Sequence, residues 1–374
     1  MSEASEDWYT IDDIDQLDSP ALVVYPDNVK YNIELAVGMV AEDASRLRPH
    51  IKTHKSKEPV LLQMKAGINK FKCATIAEAE VLGMCQAPDV LLAYQPIGPK
   101  LKRLIKLIQK YPATKYACLI DNIAAAEAIS VEALANGLQI PVYIDLNVGM
   151  NRTGIAPDAK AVELYITANN LKGVKPVGLH AYDGHIHEPE LDVRIMKSET
   201  ILASVLKLQA DIENQGVTKP LIIAGGSPTF PFYAEKEGLD CSPGTFVYWD
   251  AGYDEAFTEQ DFIPAVLVIT RVISLPDETK ICLDLGHKSI AAESPLDKRV
   301  RFLNAPELQP ISQSEEHLVM EAGKGHTYKP GDVLYGLPYH VCPTVAAYER
   351  VITIEDNNIT GEWLNLARDR KITI

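Results

Sequence analysis

The chain has 374 residues, 47% hydrophobic and 23% charged, a balance that suits a globular protein with room for a barrel and a second domain. A formal net charge of -15 repels phosphate backbones and anionic lipid, and no cluster of Lys and Arg offsets it locally, so neither nucleic-acid nor membrane binding is expected. No apolar run approaches the ~20 residues of a bilayer span, and the acidic N-terminus has neither the basic flank nor the apolar stretch of a secretory signal; a cytoplasmic protein is expected.

In chain order, the run ALVVY at residues 21–25 reads as an isolated strand. From about residue 45 to 249, β-rich runs at 47–52, 70–75, 89–94, 116–120, 141–147, 176–182, 220–226 and 244–249 alternate with amphipathic helical stretches. Several runs are almost wholly apolar (VLLAY, LIIAGG), as in parallel strands covered by helices. This alternation predicts an α/β fold, a (β/α)8 TIM barrel. An open doubly wound sheet is the rival, but its GxGxxG turn after the first strand is missing.

Beyond Trp249, short runs at 265–274, 281–285, 318–321 and 351–354, separated by turns such as PDETK and KPGD, predict a C-terminal β domain that also takes the N-terminal strand. The expected division is residues 26–249 for the barrel and 1–25 plus 250–374 for the β domain. The six cysteines form no CxxC pair; five read as small buried apolar residues, and Cys342 stands apart.

The first barrel run, Arg48-Pro49-His50-Ile51-Lys52, is unusual. Alternation puts Leu47, Pro49 and Ile51 toward the helices and Arg48, His50 and Lys52 toward the barrel interior. Basic groups there are costly unless an anion pairs with them, and a phosphate cofactor would supply one. A desolvated lysine among cations is also poised to be neutral and nucleophilic, as a Schiff-base lysine must be. Lys55 competes with Lys52 but has the opposite parity, and an exposed basic edge strand is the plain alternative.

The seventh run ends in Gly225-Gly226-Ser227-Pro228-Thr229, and Gly244-Thr245 opens the eighth. Glycines let backbone N–H groups approach an anion, hydroxyls add donors, and barrels often hold phosphate at the loops after strands seven and eight.

RPHIKTHK resembles the cofactor-lysine strand of the D-threonine aldolase and D-serine dehydratase family, the fold-type III pyridoxal-phosphate enzymes related to alanine racemase. GMNRTG (149–154), GLHAYDGH (178–185), AGGSPT (224–229) and HVCPT (340–344) match in the same order. The resemblance implies that Lys52 holds pyridoxal 5'-phosphate, that Arg152 lies near its phenolic oxygen, that Tyr182 lies beside its ring, and that the GGSPT loop cups its phosphate. It also implies a homodimer.

His340 and Cys342 are two apart, and in an extended segment both side chains would reach one ion; imidazole with thiolate favours zinc. HVCPT resembles the family's metal-binding segment, and His-x-Cys there points toward the zinc-dependent dehydratases. Such a metal would assist a β-hydroxyl in leaving or ionising. In the loop after the sixth strand, His185 and His187 are candidates for an acid–base group, with His187 preferred. The function expected is a pyridoxal-phosphate- and metal-dependent lyase of D-β-hydroxy-α-amino acids, D-serine dehydratase foremost. D-threonine aldolase, an amino-acid racemase and a non-catalytic pyridoxal-phosphate-binding protein are the alternatives.

Overall fold

A computed structural model describes residues 8–374. The chain divides into two compact units: residues 34–52, 60–244 and 369–374 form one, and 53–59, 245–368 and the described part of 1–33 form the other. The expectation for residues 1–7 lies outside the described residues.

The first unit is a parallel barrel sheet. Lys70–Cys73, Asp89–Leu92, Lys115–Ile120, Ile140–Asp145, Val174–Ala181, Leu221–Ala224 and Asp240–Cys241 pair in sequence order, each parallel to the next. The run at 47–52 forms single parallel bridges, Leu47 to Cys241 and His50 to Lys72, and so joins the last strand to the first. Pro49 has no N–H to give, but its carbonyl accepts from Lys72 N–H at 2.8 Å, and Arg48 and His50 donate to the Cys241 and Pro243 carbonyls.

Helices cover the outside, and their caps set where each begins. Thr75 Oγ1 accepts from Glu78 N–H while the Glu78 carboxylate takes the Ala74 N–H, a capping box that starts Ile76–Met84 directly after a strand. Asn122 caps Ile123–Ala135 more simply, its Oδ1 accepting from the Ala125 N–H. Inside, Leu91, Ala117, Leu119, Tyr143 and Ile223 pack in one cluster, with Ala93 and Val177 against it.

Two expectations need correction here. The run at 244–249 is no strand: Thr245–Val247 is a short 3-10 turn, and the eighth strand is the two-residue Asp240–Cys241. Pro243 and Gly244 end the ladder, and the apolar run that follows is buried on every side, so its composition mimics a strand. Arg48 does point inward, but toward protein carboxylates and not a phosphate: it pairs with Asp89 at 2.5 Å and Asp240 at 3.2 Å. Both acids open their strands, so the pair plugs the N-terminal end of the barrel.

The second unit is a mixed β-sheet. Its order runs Gln309–Gln313, Leu318–Glu321, Lys280–Leu283, Val266–Ser274, Ala21–Val24, Arg350–Glu355, Asn358–Leu364, with Val333–Pro338 also pairing Val266–Ser274 and carrying Val300–Phe302. The N-terminal strand is central to it, antiparallel to Val266–Ser274 and parallel to Arg350–Glu355. Val23, Tyr25, Leu267, Ile269, Leu337 and Ile354 share one apolar core there. No helix of the described residues is long and apolar enough to cross a membrane.

Candidate active site

A pocket of about 590 Å³ opens among residues that follow the C-terminal ends of the barrel strands: Ala74, Ala93 to Gln95, Asp121, Arg152 with Thr153, and Tyr182. That is the mouth at which barrels of this kind carry their chemistry. His50, Lys52, Lys72 and His180 line it from the strands and the closing segment.

Tyr182 sits at its centre. Lys52 Nζ is 5.9 Å from the ring centroid, Lys72 Nζ 5.3 Å and the Arg152 guanidinium carbon 5.2 Å. Cations near an aromatic face gain little when compared with a true counter-ion. Among the described residues neither lysine Nζ has a hydrogen-bond or ion-pair partner. The Lys52 N–H donates to His50 Nδ1 at 3.1 Å, which fixes the imidazole beside the lysine. Lys55 has a left-handed backbone with φ of 57°, belongs to the other unit and does not line the pocket.

The sequence pattern does not single out Lys72. It is 2% exposed, and burial, then the neighbouring Lys52 charge, lower its pKa to about 7. Nor does the pattern single out His180. Its Nδ1 lies 2.8 Å from Asp145 Oδ1, and its Nε2 is buried without a hydrogen-bond partner. A buried, unsatisfied ring nitrogen at a pocket wall marks a place where a ligand completes the bonding. Gln95 donates to both Asp121 and Asp145 at 3.0 Å and ties these acids together.

The glycine loop follows the strand Leu221–Ala224. Gly225 has φ of +78°, and a Cβ there would fall 2.7 Å from the Tyr233 ring, so only glycine fits. At Gly226 a Cβ would come within 3.2 Å of the Tyr182 ring. Gly226 N–H donates to Thr229 Oγ1, Gly244 N–H donates to Ser227 Oγ, and Thr229 Oγ1 donates to Asp183, so the loop is held by its own hydroxyls. Gly244 follows the eighth strand and packs on His50, where a Cβ would meet its Cβ and carbonyl oxygen at 3.1 Å. Thr245 belongs to the second unit, its hydroxyl 3.8 Å from the Cys342 sulfur.

Amines without a counter-ion and an unsatisfied imidazole nitrogen in the pocket, with a glycine loop that does not itself line it packed against the Tyr182 ring, suit a planar carbonyl-bearing phosphate. The pocket's residues fit pyridoxal phosphate.

His187 is exposed, its ring Nδ1 2.9 Å from the His185 carbonyl oxygen, and it is not among the lining residues. His340 and Cys342 lie in the second unit, where His340 is the N-cap of the helix Val341–Ala347 and Cys342 falls in its first turn. The segment is therefore not extended as expected, because Asp250 takes the Val341 N–H and Pro343 suits a first helical turn. The two side chains still meet. Hydrogen bonding to Cys342 is the largest influence raising His340 to about 9, against burial, with Glu293 adding to it. Glu293 contacts His340 Nδ1, and Thr53 Oγ1 lies 3.2 Å from the Cys342 sulfur. Among the described residues there is no group of three or more His, Cys, Asp or Glu side chains able to hold a metal. One imidazole and one thiol are zinc-type donors, fewer than the three protein ligands usual at catalytic zinc.

A parallel barrel with lysines and an arginine around an aromatic ring at its C-terminal mouth has a barrel enzyme's pocket suited to an anionic ligand. The chain belongs to the Alanine racemase, N-terminal domain family, which matches residues 24–251, and the Putative serine dehydratase domain matches residues 265–354. The first match contains Lys52, Arg152, Tyr182 and the glycine loop; the second contains His340 and Cys342. A D-threonine aldolase of Arthrobacter sp. is 26% identical over 96% of this chain and 94% of its own length. A D-threo-3-hydroxyaspartate dehydratase of Delftia sp. is 25% identical over 63% of this chain and 62% of its own. The crystal structure of D-threonine aldolase from Filomicrobium marinum superposes with a TM-score of 0.86 at 25% identity, covering 94% of this chain and 95% of that one. The barrel with a β domain and the resemblance read from the motifs both stand, and the lyase expectation agrees with relatives named as aldolases and a dehydratase.

Proposed function

We propose that the chain is a pyridoxal-phosphate- and metal-dependent lyase of D-β-hydroxy-α-amino acids, with D-serine as its substrate and pyruvate and ammonia as products. The observation that carries this reading is the pocket in which Lys52, without a counter-ion, faces the Tyr182 ring beside a glycine loop. Pyridoxal phosphate supplies an electron sink for charge developing at Cα, and a divalent metal supplies a Lewis acid for a β-oxygen.

The chain's own residues do the rest. Lys52 would hold the cofactor covalently, and its Nζ would serve as the base for the proton on the substrate Cα. Arg152 would offset negative charge on the cofactor ring, and Tyr182 would fix the ring's plane. Residues 225–229 with Gly244 would receive the phosphate. His340 and Cys342 would ligate the metal, with Glu293 on Nδ1 turning Nε2 toward it. Loss of the Cα proton and the β-hydroxyl as water, then hydrolysis, gives the products. The reading includes a homodimer, as the resemblance implies, and a cytoplasmic location.

Retro-aldol cleavage of D-threonine to glycine and acetaldehyde is the second reading, favoured by the 26% identity to an aldolase over nearly the whole chain. The His340–Cys342 pair within the serine dehydratase match supports dehydration. A product assay with D-serine and D-threonine, before and after chelation, separates them. Pyruvate from D-serine that falls with chelator and returns with zinc is the expected result. Acetaldehyde from D-threonine without pyruvate from D-serine would replace it with the aldolase.

A further inference from the structure

The pocket holds one cation more than the motifs account for. Lys72 lies on the strand Lys70–Cys73, which is buried on both faces, so its side chain enters the barrel and not the solvent. It stands over the same Tyr182 ring as Lys52 and Arg152 and lines the same pocket. A buried ammonium without a counter-ion is costly, and a structure keeps one only where it is neutral or where an anion comes to it.

The groups around it narrow the choice. The closing segment contributes Arg48, His50 and Lys52; Asp121 follows the strand Lys115–Ile120; the strand Ile140–Asp145 contributes Asp145 and the loop after it Arg152; and the strand Val174–Ala181 and its end contribute His180, Tyr182 and Asp183. Arg48 is engaged by Asp89 and Asp240, and Asp145 by His180 and Gln95. Asp145 and Asp183 attract Lys72 from beyond ion-pair distance, while Lys52 and Arg48 repel it.

We propose that Lys72 anchors an oxyanion of the ligand bound in this pocket and takes up a proton as that oxyanion arrives. The oxyanion is either the carboxylate of the amino acid or an oxygen of the cofactor, and the proposal rests on the functional reading only in taking the ligand to be one of these. Before binding, burial and the Lys52 charge hold the amine near neutrality, with a pKa of about 7. An anion in contact reverses the balance, and the amine becomes an ammonium. Lys72 thereby adds an anion requirement that Lys52, engaged by the cofactor, cannot supply.

The test counts protons. Calorimetric titrations at pH 8, in two buffers of different ionisation enthalpy, are run on cofactor-free protein with pyridoxal phosphate and on holoenzyme with D-alanine. D-Alanine keeps the carboxylate but has no β-hydroxyl, so no dehydration or retro-aldol step occurs. Wild type is expected to take up more protons than Lys72→Met in one of the two titrations, and Lys72→Met to bind that ligand about tenfold or more weakly. Lys72→Arg, always charged, is expected to keep the affinity without the extra uptake. A difference with pyridoxal phosphate assigns the oxyanion to the cofactor, and one with D-alanine assigns it to the substrate carboxylate. Equal proton counts in wild type and Lys72→Met for both ligands overturn the proposal, even if D-serine is dehydrated. An unequal count sustains it even if no lyase product is found.

Discussion

His180 Nδ1 and Asp145 Oδ1, 2.8 Å apart, join two register partners on neighbouring parallel strands inside the barrel. Burial is the largest single influence on Asp145 and works against its charge, but the hydrogen bond and charge of His180 with the hydrogen bonds from Thr153 and Gln95 together outweigh it, and the carboxyl lies below its usual range. Burial lowers His180 as well. Both directions agree on a neutral imidazole that donates from Nδ1 to a carboxylate. The Nε2 lone pair then faces the pocket as an acceptor.

His180→Ala removes that acceptor and one donor to a buried carboxylate. It is expected to weaken pyridoxal phosphate binding by about tenfold and to cost roughly 1–3 kcal/mol of stability. Fluorescence titration with the cofactor and urea denaturation measure the two effects. Unchanged cofactor affinity would remove His180 from the site.

Asp183 gives a pH signature. It is 1% exposed and accepts from Thr229 Oγ1 at 3.0 Å, and burial raises its pKa from 3.8 to about 6. Between those values the folded protein binds more protons than the unfolded chain. This group's contribution to stability is therefore full below pH ~4 and is lost as pH rises through about 6. Asp183→Asn should match wild type near pH 4 and exceed it at pH 7 by up to about 3 kcal/mol. Urea midpoints at the two values check this, and an equal difference at both would contradict it.

Cys342→Ala leaves the barrel pocket intact and removes the thiol from a pair of donors. Metal content by atomic absorption is expected to fall at least tenfold, while the absorbance of bound cofactor stays. Undiminished metal would show that His340 and Cys342 are not its ligands.

The sequence displays most of this architecture because its signals are local. Apolar runs buried on both faces mark the strands, and Thr75, Asn122 and the glycine loop punctuate them. Lys52 is legible because an alternating basic strand contradicts a packed interior. Lys72 is not, because KFKC reads as a half-exposed strand with lysines outward. Phe71 and Lys72 are both buried, which only the strand's central place in the barrel decides. The signal available was a charge on a strand flanked by covering helices. His180 was hidden by the adjacent Tyr182, since nothing in the local pattern places Asp145 beside it. The run at 244–249 misled because a fully buried 3-10 turn and a buried strand share one composition.

The central claim is that Lys52 holds the cofactor in this pocket. Borohydride reduction of the protein loaded with pyridoxal phosphate, followed by peptide mass mapping, tests it most directly. The account predicts a single phosphopyridoxyl group on Lys52, with Lys72 and Lys55 unmodified. A label on Lys72 or Lys55, or none at all, would contradict it.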